Sequence, residues 1–428
     1  MDRLELLQTY RAVRAQTTFL ADRLAPEDCT AQSMPDASPV KWHLAHTSWF
    51  FETFVLTEGP IEHRPFDPAY AYLFNSYYNA IGEQYPRARR GLITRPGLDE
   101  VLRFRAHVDT GMERLLHECE DQSLASLAPV IELGINHEEQ HQELILTDLK
   151  HLLAQNPLAP RYADAPPPEI SQPTPLGFVS FAGGLVEVGD ANEGGFAFDN
   201  ERPRHKVWLE PFSVANRLST CGEYLEFMQD GGYERPELWL SEGWNLCHSR
   251  GWTAPLYWKR RDDGWRHFTL TGMRRVDLNE PICHLSLFEA DAFARWSGAR
   301  LPTEAEWECS AVAQGHGEHF APSPALHPRA LRRISPGGQT AGPGEVAGDT
   351  LHQMFGDAWE WTASAYLGYP GYRPVEGALG EYNGKFMANQ FVLRGGSIAT
   401  PRRHFRPTYR NFFPADARWQ FTGVRLGR

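Results

Sequence analysis

The chain has 428 residues, of which 42% are hydrophobic; this is too long for one compact core and predicts two domains. The formal net charge of −12 argues against a nucleic-acid partner, and no apolar run approaches the roughly 20 residues that span a membrane. Six scattered cysteines without a CxxC pair, and an N-terminus without an apolar signal core, predict a soluble cytoplasmic protein with reduced thiols.

Helical periodicity dominates the first domain, expected at residues 1–155. In the second of its helices, Ser38 is the expected N-cap and Pro39 the first helical residue. Four helices of such length favour an antiparallel bundle, a scaffold that builds metal sites from inward-facing side chains. The predicted helices cover residues 4–24, 38–55, 98–117 and 123–155.

A long irregular segment, residues 59–96, separates the second and third helices and is rich in aromatic residues, which favours a functional loop over a disordered one. Tyr77 and Tyr78 are adjacent within it. Such a pair most often packs, but a phenol near a metal centre can deliver a proton. Arg87 and Arg90 offer guanidinium groups for a carboxylate, the alternative being an exposed basic loop.

A semi-rigid linker is expected at residues 156–177, which contain seven prolines. After it, the second domain, residues 178–428, is rich in glycine, tryptophan and short β-type runs such as 178–181 and 206–209, with helical stretches at 220–229 and 287–297. The two halves together predict an α+β protein.

The fourth helix contains the run HEEQH, residues 137–141. His137 and His141 are four residues apart, so both imidazoles point to one side of the helix and can reach one ion. The second helix offers His43 or His46 as a third ligand. Imidazole ligands suit Zn, Fe, Cu or Ni, whereas the alternative is a set of packed core histidines.

The same run also matches His-Glu-x-x-His, the helix of zinc hydrolases, with Glu138 as general base. No further ligand pattern of that class follows His141, because the proline-rich linker begins soon after. A non-catalytic module, in which the histidines only pack, is the third alternative.

The motifs of both halves, in this order, resemble the ergothioneine-type sulfoxide synthases (the EgtB family). The first half is similar to their DinB-like helical bundle, and the second to the formylglycine-generating-enzyme (sulfatase-modifying) domain, a C-type-lectin-like α/β fold. The stretches that carry the resemblance are PVKWHLAH at 39–46, FNSYY at 74–78, HEEQH at 137–141, DNERP at 199–203, RLPTEAEWE at 300–308, WEWT at 359–362, LRGGS at 393–397 and FTGVR at 421–425.

The resemblance implies an iron-dependent oxidoreductase that binds Fe(II) through His46, His137 and His141. Such an enzyme uses O2 to join a thiol sulfur to C2 of the imidazole of hercynine, and it forms a sulfoxide in ergothioneine biosynthesis. Formylglycine generation itself is disfavoured, because no cysteine follows Cys309.

The resemblance also assigns roles to individual residues. Gln140 would bind the hercynine imidazole, while Asn411 and Phe412 would line the trimethylammonium pocket, where an aromatic face suits a quaternary ammonium ion. Tyr382 would contact the same substrate. Phe413 occupies the place of an acidic residue found in the members that use γ-glutamylcysteine.

Differences from the family pattern also predict which thiol is the sulfur donor. The expected tyrosine of the second domain is missing from residues 377–381, whereas Tyr77 and Tyr78 fit the branch that takes its catalytic tyrosine from the first domain and uses free cysteine. Cysteine is therefore the expected donor, and Arg87 and Arg90 would hold its carboxylate. Selenoneine synthase, which joins a selenosugar to hercynine, is the alternative within this architecture.

Overall fold

A computed structural model describes residues 1–164, 174–315, 319–323, 325–331 and 350–428. Nine residues of the predicted linker, 165–173, therefore lie outside the described part of the chain. The described residues combine a helical half with a half of short strands and helices, which confirms the predicted α+β class.

Two compact units make up the described chain. The first contains Met1–Leu158 and two later segments, Asn192–Asp199 and Arg373–Lys385, which the predicted limit of 1–155 did not include. The remaining described residues form the second unit, from Ala159 onward. No helix in the described ranges is both long enough and apolar enough to cross a bilayer.

Helices α1, α3, α5 and α6 correspond to the four predicted helices of the first unit. The longest of them, α6, continues through Pro129 and contacts both α1 and α3, while α3 also contacts α5. Shorter pieces are a 3-10 turn at Arg87–Leu92 and another at Ala378–Glu381. The helices are α1 Arg3–Ala21, α2 Pro26–Thr30, α3 Val40–Phe51, α4 Tyr70–Leu73, α5 Leu98–Glu118 and α6 Asp121–Gln155.

The start of α3 differs from the prediction. Pro39 is the N-cap residue and carries no side-chain cap, while Ser38 lies outside the helix. The Ser38 hydroxyl accepts a hydrogen bond from Arg90 instead of capping the helix. At its other end α3 passes into a π-helical turn, Glu52–Leu56, a feature that often accompanies functional sites. All twelve residues of α3 are buried, so this helix is the centre of the first unit.

Short sheets and four helices form the second unit. Its largest sheet has four strands in the order β10-β9-β8-β11, with β8 and β11 parallel and the other pairs antiparallel. The elements are β1 Phe178–Phe181, β2 Gly184–Val188, β3 His205–Leu209, β4 Phe212–Ala215, α7 Cys221–Gln229, α8 Ser241–Arg250, β5 Trp258–Arg261, β6 Gly264–Thr269, β7 Gly272–Arg275, α9 Leu287–Trp296, α10 Glu304–Gln314, β8 Trp359–Ala365, β9 Phe391–Arg394, β10 Asn411–Phe413 and β11 Thr422–Gly423.

Local sequence explains where the helices of the second unit begin. Capping boxes, in which a Ser or Thr and a Glu three residues later satisfy each other's backbone N–H groups, start α7, α9 and α10. Trp307 on α10 is fully buried and donates to Glu360, and Arg425 binds the same carboxylate. These contacts connect α10 and the C-terminal segment to β8.

Candidate metal site and its surroundings

Three histidines meet inside the first unit. His46 comes from α3, whereas His137 and His141 come from α6 one turn apart. One ring nitrogen of each lies within 4.8 Å of the others, and all three side chains are buried. The separation between His46 Nε2 and His137 Nε2 is 3.2 Å. Because α3 and α6 pack against each other, the bundle brings together residues that are 91 positions apart.

The three histidines are held in the neutral form. His46 Nδ1 lies 2.6 Å from the carbonyl oxygen of Phe74, so this nitrogen carries the proton and Nε2 keeps its lone pair. Burial lowers the pKa of His46, His141 and His137, the last to about 3, and the neighbouring histidines lower the pKa of His46 and His141 further. Neutral imidazole is the form that binds a metal ion.

The spacing of the nitrogens fits a common ion. Two ligands at right angles, each about 2.1 Å from a metal, have nitrogens roughly 3.0 Å apart. The observed 3.2 Å between His46 Nε2 and His137 Nε2 is close to that value. Three neutral imidazoles suit a first-row transition metal and leave coordination positions for other molecules. The triad could therefore hold one metal ion.

His43, the other histidine considered for this site, is not a member of the triad. Its Nδ1 lies 2.8 Å from His141 Nδ1, and its Nε2 lies 3.2 Å from the Asp148 carboxylate. His43 thus contacts a triad histidine and a carboxylate without being a member of the triad itself.

Glu138 forms ion pairs with two buried arginine side chains. One carboxylate oxygen accepts a hydrogen bond from Arg105 at 2.9 Å and the other from Arg14 at 3.0 Å, and all three side chains are buried. Burial raises the pKa of Glu138, but the two guanidinium groups outweigh it and hold the pKa at about 2. Because both carboxylate oxygens are bound by guanidinium groups, the environment of Glu138 favours a structural role over that of a general base.

Two aromatic rings lie between the tyrosine pair and the histidine triad. Tyr78 is buried against Trp49 and Phe50, whose rings contact His46 and His137, respectively. Its hydroxyl is buried, and its interaction with the Tyr77 phenol contributes to the pKa of both groups. Tyr77 stacks on Tyr78 with 4.8 Å between ring centroids. Burial raises the pKa of both phenols, so each keeps its proton at neutral pH.

Tyr382 reaches the triad from the segment Arg373–Lys385. Its ring centroid is 5.6 Å from that of His137 and 6.1 Å from that of Tyr77. Glu381 connects this segment to the loop that contains Tyr77 and Tyr78, because its carboxylate accepts hydrogen bonds from the backbone N–H groups of Asn79 and Ala80. Sequence analysis missed Glu381, whose contacts join positions 301 and 302 residues apart.

Arg90 is a buried cation without a carboxylate within 4 Å among the described residues. Its guanidinium lies 3.3 Å above the ring of Trp42 and donates to the hydroxyls of Ser38 and Ser76. Burial, and then repulsion from Arg87, lowers the pKa of Arg90. Arg87 itself is exposed and donates to the carbonyl of Asp36. A buried guanidinium that lacks an anion suits an anionic ligand.

The remaining predicted residues lie in two places. Gln140 is half-buried on α6, directly before His141. Asn411, Phe412 and Phe413 form β10 of the second unit and are also half-buried. There Phe412 stacks on Tyr366, with 4.0 Å between centroids. Their roles toward a substrate stay predictions.

Two further groups in the described residues bring histidines and a carboxylate equally close together: Glu52 with His63 and His107, and Glu280 with His267 and His327. Hydrogen bonds to the carboxylate explain the arrangement of each group. Glu52 accepts from His63 and from the backbone of Phe66. Glu280, beside His267 and His327, accepts from Arg274 at 2.6 Å. The guanidinium of Arg274 thus balances the charge of Glu280. The triad of His46, His137 and His141 differs from both groups because it contains imidazoles alone.

Comparison with known proteins matches both halves of the chain. The Sulfatase-modifying factor enzyme 1-like domain matches residues 163–428, and the DinB superfamily matches residues 9–145. A hercynine oxygenase of Mycobacterium tuberculosis is 32% identical, over 96% of this chain and 96% of that relative. A formylglycine-generating enzyme of Streptomyces coelicolor is 29% identical, over 56% of this chain and 84% of its own length.

The match to the first of these relatives is nearly complete in both directions, and a hercynine oxygenase of Mycolicibacterium smegmatis is likewise 32% identical over 92% of each chain. The chain therefore belongs to the hercynine oxygenase family of enzymes. The resemblance inferred from the motifs is confirmed, as is the pairing of a DinB-type half with a sulfatase-modifying half.

Proposed function

We propose that this enzyme is an iron-dependent sulfoxide synthase that couples hercynine to a thiol with O2, the thiol being cysteine. The observation that carries the proposal is the buried cluster of His46, His137 and His141, in a chain that belongs to the hercynine oxygenase family. Ferrous iron bound there would supply the redox chemistry with O2.

The overall reaction balances with these reactants alone. The imidazole C2–H bond of hercynine and the S–H bond of the thiol break, and one C–S bond and one S–O bond form. One oxygen atom of O2 enters the sulfoxide, and the other leaves as water with the two hydrogens. The four electrons required by O2 come from the two substrates, so no external reductant is needed.

Other residues bind the two substrates and supply a proton. Arg90 binds the carboxylate of cysteine with its guanidinium, and Arg87 adds positive charge nearby. Gln140 hydrogen-bonds the hercynine imidazole, and Tyr382 contacts the same substrate. Asn411, Phe412 and Phe413 are proposed as further substrate-binding residues. Holding both substrates in place replaces a random encounter with an oriented one. Tyr77 or Tyr78 supplies a proton, since both phenols remain protonated.

The decisive experiment combines metal analysis with product identification. Purified enzyme should contain about one iron per chain and consume O2 with hercynine and cysteine, and mass spectrometry should detect the sulfoxide. His137→Ala should abolish metal binding and coupling, whereas Glu52→Gln, in a cluster that hydrogen bonds already satisfy, should retain both. An active His137→Ala variant would exclude this site.

The donor is tested in the same assay. Cysteine, γ-glutamylcysteine and a selenosugar are offered one at a time with hercynine. A product only from cysteine supports the proposal, whereas a product only from the selenosugar would identify a selenoneine synthase. Arg90→Leu should raise KM for cysteine more than it changes kcat, because the guanidinium binds a part of the substrate that does not react.

A further inference from the structure

We propose that His43 and Asp148 are positioning residues that select the metal-binding nitrogen of His141. The inference rests on the proposed metal site and assigns a role to a histidine that the triad does not use. His43, His141 and Asp148 form a continuous chain of hydrogen bonds, with distances of 2.8 Å and 3.2 Å, and all three side chains are buried.

Asp148, at one end of this chain of hydrogen bonds, determines which atoms donate and which accept. The Asp148 oxygen accepts the backbone N–H of Ser38 at 2.8 Å as well as His43 Nε2. A carboxylate only accepts, so His43 Nε2 must carry a proton. A neutral ring has one N–H, and His43 Nδ1 is therefore an acceptor. The proton in its 2.8 Å contact with His141 then belongs to His141 Nδ1.

This arrangement leaves the lone pair of His141 on Nε2. It also fixes the plane of the ring and transmits the negative charge of Asp148 through His43, which makes the ligand nitrogen more basic. His46 reaches the same state differently, through the carbonyl of Phe74. Two of the three triad histidines are thus preset by partners outside the triad.

Two substitutions of His43 separate this role from packing. Glutamine can accept from His141 with its carbonyl and donate to Asp148 with its amide, whereas leucine can do neither. Titration of the metal-free protein with Co(II), followed by its visible absorption, should show affinity within a few-fold of wild type for His43→Gln. The affinity of His43→Leu should be roughly 10–100-fold weaker, with an altered spectrum.

Further variants supply the matched controls. Asp148→Asn can still accept both N–H groups but lacks the charge, so a smaller loss, up to roughly tenfold, is expected. Ser38→Ala removes the hydroxyl that contacts Arg90 but keeps the backbone N–H that Asp148 accepts, so Co(II) affinity should not change. Equal affinity in wild type, His43→Leu and Asp148→Asn would overturn the proposal.

A measurement without metal distinguishes this inference from the proposed function. Nuclear magnetic resonance of the metal-free protein labelled with 15N-histidine reports which nitrogen of His141 is protonated. The proton is expected on Nδ1 in wild type and on no single nitrogen in His43→Leu. A proton on Nε2 in wild type would refute the role of His43, whatever the metal results. A wild type with Nδ1–H that binds no Co(II) would instead contradict the metal site and the proposed function.

Discussion

At the scale of single residues, the acidic position within the HEEQH run shows how one motif can serve two purposes. Sequence alone allowed Glu138 to be a general base. In the structure, its carboxylate accepts hydrogen bonds from Arg14 and Arg105, which come from α1 and α5, so it connects three helices around the triad. The adjacent histidine can act as a metal ligand while the glutamate stabilises the bundle.

Replacing this carboxylate should therefore damage stability rather than a catalytic step. Glu138→Gln leaves the buried guanidinium of Arg105 without its carboxylate partner, whereas Arg14 keeps Asp109 at 2.6 Å, and the free energy of unfolding should fall by about 3–5 kcal/mol. Urea denaturation measures the change. The matched control is Glu113→Gln, whose partner Arg11 is half exposed, with an expected loss below about 1 kcal/mol. Lost activity at unchanged stability would instead revive the hydrolase alternative.

The two tyrosines can be separated by removing one hydroxyl at a time. Tyr78→Phe deletes a buried hydroxyl that interacts with the neighbouring Tyr77 phenol, so stability should change by no more than about 1 kcal/mol. If Tyr78 is the proton donor, the variant should shift turnover from C–S coupling toward oxidation of the thiol. Chromatography of both products, for Tyr78→Phe and Tyr77→Phe in parallel, decides between them. Unchanged product ratios in both variants would contradict the proposed role of this pair.

At the scale of elements, helix–helix contact sets the distance between the histidines of the triad. Gly134 on α6 lies one turn before His137, and a Cβ atom there would come within 2.6 Å of the Phe51 ring and 2.8 Å of the Phe50 ring. Phe50 in turn contacts the His137 ring at 4.8 Å. The absence of a side chain at Gly134 thus lets α3 approach α6 closely enough for His46 to join the triad.

Gly134→Ala should consequently weaken the site although alanine favours helices by about 1 kcal/mol. Steric conflict with the two rings should cost about 1–3 kcal/mol and reduce Co(II) affinity severalfold. Gly97→Ala is the control, because an added Cβ there meets no atom within 4 Å. Calorimetry and metal titration report the two effects, and a more stable variant with wild-type affinity would contradict this account of the packing.

Helix periodicity explains why much of the bundle could be predicted from sequence. The predicted limits of α5 and α6 differ from the observed ones by at most two residues, and His137 and His141 point together as their spacing requires. The choice of His46 over His43 could not follow from spacing, since both lie on α3. It depends on Phe74 and Asp148, which are distant in sequence and carry no local pattern.

At the scale of the whole molecule, chain order and spatial grouping differ. Residues 373–385 follow most of the second unit in sequence yet belong to the first unit, where Tyr382 contacts His137. Composition and periodicity predict where a segment is helical or extended, but not which unit it joins, because that depends on contacts such as those of Glu381. The histidine triad is therefore a property of the first unit, and the second half of the sequence contributes Tyr382 to that unit.

Metal should accordingly stabilise the first unit selectively. A ligand that binds only the folded state adds about 2.7 kcal/mol at a free concentration of one hundred times its Kd. Calorimetry of the metal-free protein, with and without Fe(II) under anaerobic conditions, should show a rise in Tm for the transition that includes the triad, and His137→Ala should abolish that rise. If the chain melts in two steps, the other transition should remain in place, since the ligands all come from residues 46–141. A shift that persists in His137→Ala would mean that the stabilising metal binds elsewhere, and the triad would lose its role as the metal centre.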